Sequence, residues 1–143
     1  MNINIKMSDC DFYVNKDKKT VACVIPGCED DLYYFVRERW YDGAKVGFDM
    51  SEKLTERMTM PTSFMGKAVC SDEDEWDEEF GREIAFYRAK EKYYRSFFKR
   101  AREFMLAADH EMERLCDDLN AIGDKITNKL QHMEDHIKER AGE

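Results

Sequence analysis

The chain has 143 residues, 43% of them hydrophobic and 13% aromatic, which suits one folded domain with a substantial core. Its net charge of -8 argues against a general nucleic-acid binder, since such proteins are usually basic. No apolar run approaches the roughly 18 residues of a membrane span, and the N-terminal residues lack the apolar region of a secretory signal. Five cysteines in no zinc-binding pattern predict reduced thiols in a cytosolic protein.

The first half of the chain predicts a small antiparallel sheet. Residues 11–16 and 20–25 are rich in aromatic and β-branched residues and flank a polar turn, which indicates a β-hairpin. Residues 44–49 and 64–70 have the composition of two further strands, and residues 51–60 between them are ambiguous.

A short helix is predicted over residues 29–41, where acidic residues suit the first turn and Gly43 is expected to end the helix. Its apolar residues have the spacing of one helix face: Leu32, Phe35, Val36 and Trp40.

The second half carries a long heptad pattern, typical of a coiled coil. The a positions are Ile84, Glu91, Phe98, Met105, Met112, Leu119, Ile126 and Met133. The d positions are Phe80, Tyr87, Tyr94, Ala101, Ala108, Leu115, Ile122, Lys129 and His136. Only Glu91, Lys129 and His136 among them are neither apolar nor aromatic, and Leu130 and Ile137 shift the pattern as a stutter would.

The apolar stripe is broader before Met105 than after it. Phe97 and Phe104 widen it at g positions, which predicts that this half packs on the N-terminal sheet. Beyond Met105 the stripe narrows to a and d, and a narrow stripe calls for another helix. Either a continuous helix of about 60 residues, about 90 Å long, pairs with a second protomer, or the chain turns back near residues 120–123.

We favour the continuous helix in a homo-oligomer, because the heptads run through Gly123 without a change of phase. The expected interface residues are Met105, Met112, Leu115, Leu119, Ile122 and Ile126. The predicted fold class is α+β, with a β-rich part over residues 1–71 and a long helical part over residues 72–143.

An acidic run at residues 72–79 precedes the long helix. It is compatible with a divalent cation or a phosphate-mimicking surface, but lacks the spacing and central glycine of an EF-hand. We favour the simpler interpretation of a helix start, with Ser71 or Asp77 as the cap and the carboxylates opposing the helix dipole.

A basic stripe follows on one face of the helix, formed by Arg88, Lys92, Arg95, Lys99 and Arg102. Arg82 and Lys90 lie near its start, and aromatic residues lie between its members. Forked guanidinium donors suit phosphate and rings suit stacking on a base, so the stripe is a candidate nucleotide site. The alternative is a solvated face whose long stems cover apolar surface.

Catalytic motifs are scarce in this sequence. His132 and His136 are four residues apart, but the segment HMEDH is not the zinc-protease motif HExxH. Neither a glycine-rich phosphate loop nor a GxSxG motif is present. We therefore expect a non-enzyme with no metal and no cofactor.

Residues 66–92, GKAVCSDEDEWDEEFGREIAFYRAKEK, resemble a recurring segment of small proteins from phages and prophages of Gram-positive bacteria. In that segment a strand ending G-x-A-x-C leads into an acidic loop, a glycine and a helix I-A-x-x-R-A-x-x-K. The matching residues are Gly66, Ala68, Cys70, Glu73, Asp74, Glu75, Asp77, Gly81, Ile84, Ala85, Arg88, Ala89 and Lys92. Many of these proteins have a proline where this chain has Asp72.

The resemblance extends to phage Thoeris anti-defence proteins, which are oligomers that sequester a cyclic ADP-ribose immune signal without cleaving it. It implies a counter-defence role in the host cytoplasm. It also implies Arg88 and Arg82 as phosphate contacts and Phe64 or Tyr87 as the stacking ring, with Lys92 and Arg95 beside them. Two other functions compete: an anti-CRISPR-type inhibitor that binds a host defence protein through the acidic run, and a structural coiled-coil phage protein. Neither a membrane nor nucleic acid is an expected partner.

Overall fold

A computed structural model describes residues 4–43 and 52–142, except the side chains of residues 40–43. Three antiparallel strands form a sheet in the order β1 (Asp11–Asn15), β2 (Thr20–Ile25) and β3 (Phe64–Val69). Phe12 lies opposite Cys23, and Cys23 lies opposite Gly66. The predicted hairpin and the strand near residues 64–70 are confirmed, whereas the strand predicted at residues 44–49 lies outside the described residues.

Helical segments precede, separate and follow the strands along the chain. A short 3₁₀ turn at Met7–Asp9 precedes β1, α1 is Asp31–Gly43, α2 is Glu52–Arg57 and α3 is Glu78–Arg140. Helix α1 confirms the short helix, and α2 falls in the ambiguous stretch. Helix α3 passes through Gly123, where the Thr127 hydroxyl donates to the Gly123 carbonyl at 2.9 Å, so the favoured continuous helix is confirmed and the alternative turn near residues 120–123 is not formed. The α+β class is confirmed.

The core of the first half lies on one face of the sheet. Val21, Cys23 and Ile25 alternate inward from β2. Strand β3 alternates in the same way, so that its first, third and fifth residues are buried. Helix α3 contributes five buried residues: Ala85, Ala89, Tyr93, Phe97 and Phe104. The Phe64 and Tyr93 rings meet edge to face at 5.5 Å between centroids, which joins sheet and helix.

Gly66 sets how closely β3 approaches α3. A Cβ atom at Gly66 would overlap the backbone oxygen of Ala85 and the backbone nitrogen of Ala89. The small side chains of Ala85 and Ala89 are fully buried at the same contact. The strand and the helix therefore pack almost backbone to backbone at this point.

The heptad stripe is not the face of α3 that packs on the sheet. Phe97 and Phe104 are buried as expected, but Phe80, Tyr87 and Phe98 are 58%, 69% and 71% exposed. The prediction that the heptad stripe before Met105 lies on the sheet is therefore wrong for these a and d positions. The buried face uses residues four apart, and its two alanines permit a closer approach than bulky side chains would.

Residues 1–104 and residues 105–143 form separate structural units. The first contains the sheet, α1, α2 and the beginning of α3. The second contains the rest of α3, and every described residue from Met112 onward is exposed within it. The second unit thus has no core of its own in a single chain.

Tyr93 links α3 to α1 by a partly buried hydrogen bond, in which its hydroxyl donates to Asp31 Oδ2 at 2.7 Å. Burial raises the pKa of the Asp31 carboxyl above its usual 3.8, although the Tyr93 hydrogen bond lowers it in part. Burial and the neighbouring carboxylate also raise the pKa of Tyr93, so the phenol remains a donor.

We expect Asp31 to make stability depend on pH. Because its pKa is raised in the folded chain, its contribution to folding is greatest below pH 3.8 and declines as pH rises through the folded pKa. Asp31→Asn keeps an acceptor for Tyr93 but cannot ionise. The stability of this variant relative to the natural chain should therefore improve between pH 3.5 and pH 6.5, measured by urea unfolding. Asp30→Asn controls for net charge, and parallel profiles for Asp31→Asn and the natural chain would contradict the expectation.

Candidate functional site

Two predicted ligand contacts are engaged with the edge of the sheet. The Arg88 guanidinium donates to the Lys67 carbonyl oxygen at 2.6 Å, and the Lys92 ammonium donates to the Met65 carbonyl oxygen at 2.8 Å. Strand β3 is an edge strand, and its outward carbonyls need partners. Arg88 and Lys92 therefore cover this edge and hold α3 against it.

Arg82 and Phe64 also have partners within the fold. The Arg82 side chain lies 3.6 Å from the Glu78 carboxylate, and its guanidinium carbon is 5.1 Å from the Phe12 ring centre. Phe64 is buried against Tyr93 and belongs to the core, so it does not form the exposed stacking surface that the resemblance implied.

Tyr87 and Arg95 remain accessible and share one surface. With Lys90, Glu91 and Tyr94 they line a shallow hollow of about 340 Å³, here called the Tyr87 patch. The Lys90 ammonium lies 5.7 Å from the Tyr94 ring centre, and Arg95 forms an ion pair with Glu91 at 2.7 Å. Of the six predicted ligand contacts, these two meet in an exposed basic and aromatic surface.

The second unit presents the remaining predicted residues as one exposed line. Met105, Met112, Leu115, Leu119, Ile122 and Ile126 are each more than half exposed. Leu130, Met133 and Ile137 continue the line after a stutter and are equally exposed. These nine residues are here called the distal seam. The ion pair of Lys138 with Glu134, at 3.7 Å, lies on side chains outside it.

The acidic run folds as a loop and a helix cap. Asp77 Oδ1 accepts a hydrogen bond from the backbone N–H of Phe80 at 3.1 Å, so Asp77 is the cap. Ser71, the alternative cap, donates instead to Asp74 Oδ2 at 2.8 Å. The loop closes over a cavity at the end of β3 that the sequence did not predict, because an acidic run carries no periodicity.

Nucleophilic chemistry has little support among the described residues. The five cysteines are free thiols. Burial raises the pKa values of Cys23 and Cys28 to about 12, so both stay protonated near neutral pH and are weak nucleophiles. In residues 4–43 and 52–142 no three His, Cys, Asp or Glu side chains are placed to hold a metal ion. No helix in these ranges combines the length and apolarity that crossing a bilayer requires.

No protein-family model, curated protein or solved structure matches this chain. The surfaces of the chain that bear on its function are the Tyr87 patch, the distal seam and the acidic loop.

Proposed function

We propose that the chain is a non-catalytic assembly protein in which the distal seam of α3 pairs with the same seam of a second copy. The observation that carries this proposal is the seam itself, a line of nine large apolar side chains that the described residues of one chain leave exposed. Burying the exposed half of such a side chain is worth roughly 1 kcal/mol. Helices without tertiary contacts are marginal in water, so pairing also stabilises the distal helix.

The charges beside the seam are compatible with a parallel pair in register. In such a pair each g residue faces an e residue of the second copy, one heptad boundary further on. Glu111 then faces Cys116, and Asp118 faces Gly123, so no like charges meet.

The mass of the chain in solution tests this proposal. We expect sedimentation equilibrium at about 10–100 µM to give a mass at least twice the 17.0 kDa of one chain. The mass should fall towards that of one chain on dilution, because pairing obeys mass action. A mass of 17.0 kDa across the whole range would refute self-association through the seam.

A second candidate function is sequestration of an anionic nucleotide, as the resemblance to Thoeris anti-defence proteins implies. The observation that favours it is the Tyr87 patch, where the exposed Tyr87 ring and the half-buried Tyr94 ring lie beside Lys90 and Arg95. Tyr87 and Tyr94 occupy d positions, so a second helix would either cover this patch or complete it. Counter-defence in the host cytoplasm follows from this candidate and would need no catalysis.

Calorimetric titration with cyclic ADP-ribose isomers tests the second candidate. Stacking on an aromatic ring is worth about 1–3 kcal/mol per base, so Tyr87→Ala should weaken binding by about 5- to 150-fold. Tyr13→Ala removes an equally exposed ring from β1, outside the patch, and should leave the affinity unchanged. The candidate fails if no isomer binds the natural chain more tightly than about 100 µM.

A further inference from the structure

A cavity of about 410 Å³ lies between the end of β3 and the start of α3. Its apolar lining includes Val69, Trp76, Phe80 and Ile84, and the acidic residues Asp74, Glu75 and Asp77 also line it. The volume falls within the roughly 300–1,000 Å³ of ordinary ligand pockets. An apolar, aromatic wall with carboxylates on one side suits a ligand that is both flat and positively charged.

The wall of this cavity remains open to solvent in the single chain. Val69 is 64% exposed, although it ends a strand, and Phe80 is 58% exposed in the first turn of α3. Ala68, which also lines the cavity, is buried. Exposed apolar side chains around a concave surface are typical of a binding site.

The acidic loop that borders the cavity is held in place by hydrogen bonds to its backbone. The Lys19 ammonium donates to the Asp74 carbonyl oxygen at 3.1 Å, and the Asp74 N–H donates to the Ser71 carbonyl oxygen at 3.1 Å. The Cys70 thiol also points to the carbonyl oxygens of Asp74 and Glu75, at 3.8 and 3.7 Å. The backbone of the loop is thus ordered before any ligand arrives.

These carboxylates are not neutralised within the described part of the chain. No lysine, arginine or histidine there forms an ion pair with Asp74, Glu75 or Asp77, and the Lys19 ammonium is directed to the backbone oxygen of Asp74. Asp77 is used as the helix cap, whereas the Glu75 carboxylate has no protein partner in those residues. The cavity therefore favours a cation and disfavours a phosphate.

We propose that this cavity binds an arginine side chain from a basic segment of a partner polypeptide. A guanidinium is planar, is weakly hydrated, stacks on aromatic faces and donates fork-like hydrogen bonds to a carboxylate. Trp76 and Phe80 provide the rings, and Glu75 provides the acceptor. A lysine ammonium is compact and strongly hydrated, so it should bind in this cavity more weakly than a guanidinium. This site is independent of the distal seam and the Tyr87 patch.

Tryptophan fluorescence provides a direct test. The chain has two tryptophans, Trp40 and Trp76, so Trp40→Phe leaves Trp76 as the only one. This variant is titrated with a capped peptide containing two arginines between glycines, and with the same peptide carrying lysines. We expect a saturable change with the arginine peptide at a Kd below about 1 mM, and at least about fivefold weaker binding of the lysine peptide. Calorimetry on the natural chain repeats the comparison if Trp40→Phe does not fold.

A matched pair of substitutions locates the binding to the cavity. Glu75→Gln should weaken the arginine peptide by about tenfold, because it removes a charge-assisted hydrogen bond. Glu79→Gln removes the same charge from the same acidic run outside the cavity lining and should change affinity by less than about twofold. Equal losses in both variants, equal binding of the two peptides, or no saturable binding below about 1 mM would each overturn the proposal.

Discussion

Replacing Gly66 by alanine is expected to destabilise the first unit strongly. The added methyl group would overlap backbone atoms of Ala85 and Ala89, and backbone atoms cannot move aside as the end of a flexible side chain can. Overpacking commonly costs about 1–3 kcal/mol, and we expect at least the upper value here. That is a large fraction of the roughly 5–15 kcal/mol by which a domain is stable.

Gly123→Ala is the matched control, and its expected effect has the opposite sign. A methyl group there would meet no described atom within 4 Å, and alanine favours a helix over glycine by up to about 1 kcal/mol. Thermal unfolding followed by circular dichroism should show a much lower midpoint for Gly66→Ala and an equal or higher one for Gly123→Ala. If Gly66→Ala unfolds at the same temperature as the natural chain, β3 and α3 do not pack as closely at Gly66 as described. If Gly123→Ala is destabilising, the helix does not continue through residue 123.

The elements of the fold were largely predictable from local sequence, but the packing face of α3 was not. Heptad counting follows large apolar side chains, and it correctly predicted a long helix. It gives little weight to Ala85 and Ala89, which bury little apolar area individually. Opposite Gly66 these small residues permit the closest contact, so they determine which face meets the sheet. The bulky a and d residues of the first unit are therefore left outside the contact between α3 and the sheet.

The predicted ligand contacts failed to assemble for a similar reason. The alternation along β3 places Phe64 inward and Met65 outward, and this could have been predicted from the strand. The hydrogen bonds of Arg88 and Lys92 to β3 could not have been predicted, because local sequence does not show which strand carbonyls lack a partner. Tyr87 and Arg95 stayed accessible and line the same hollow.

A charge in the distal seam should dissociate the assembly. Leu119→Asp places a carboxylate at an a position, where it would lie between two helices in each pair. Burying an unpaired charge costs several kcal/mol, so the affinity between copies should fall by at least about 100-fold. At concentrations of about tens of micromolar, the variant should sediment as a single chain of 17.0 kDa. Its ellipticity at about 222 nm should also decrease, because the distal helix loses its partner.

Asn120→Asp separates this effect from charge alone. It adds the same carboxylate one residue later, at an exposed b position outside the seam, and should leave the mass unchanged. Both variants add one negative charge to the same helix, so any difference between them reports the seam. If Leu119→Asp and Asn120→Asp have the same mass as the natural chain, the exposed apolar line does not join copies. If both dissociate, general charge repulsion holds the chains apart, and the seam does not determine assembly.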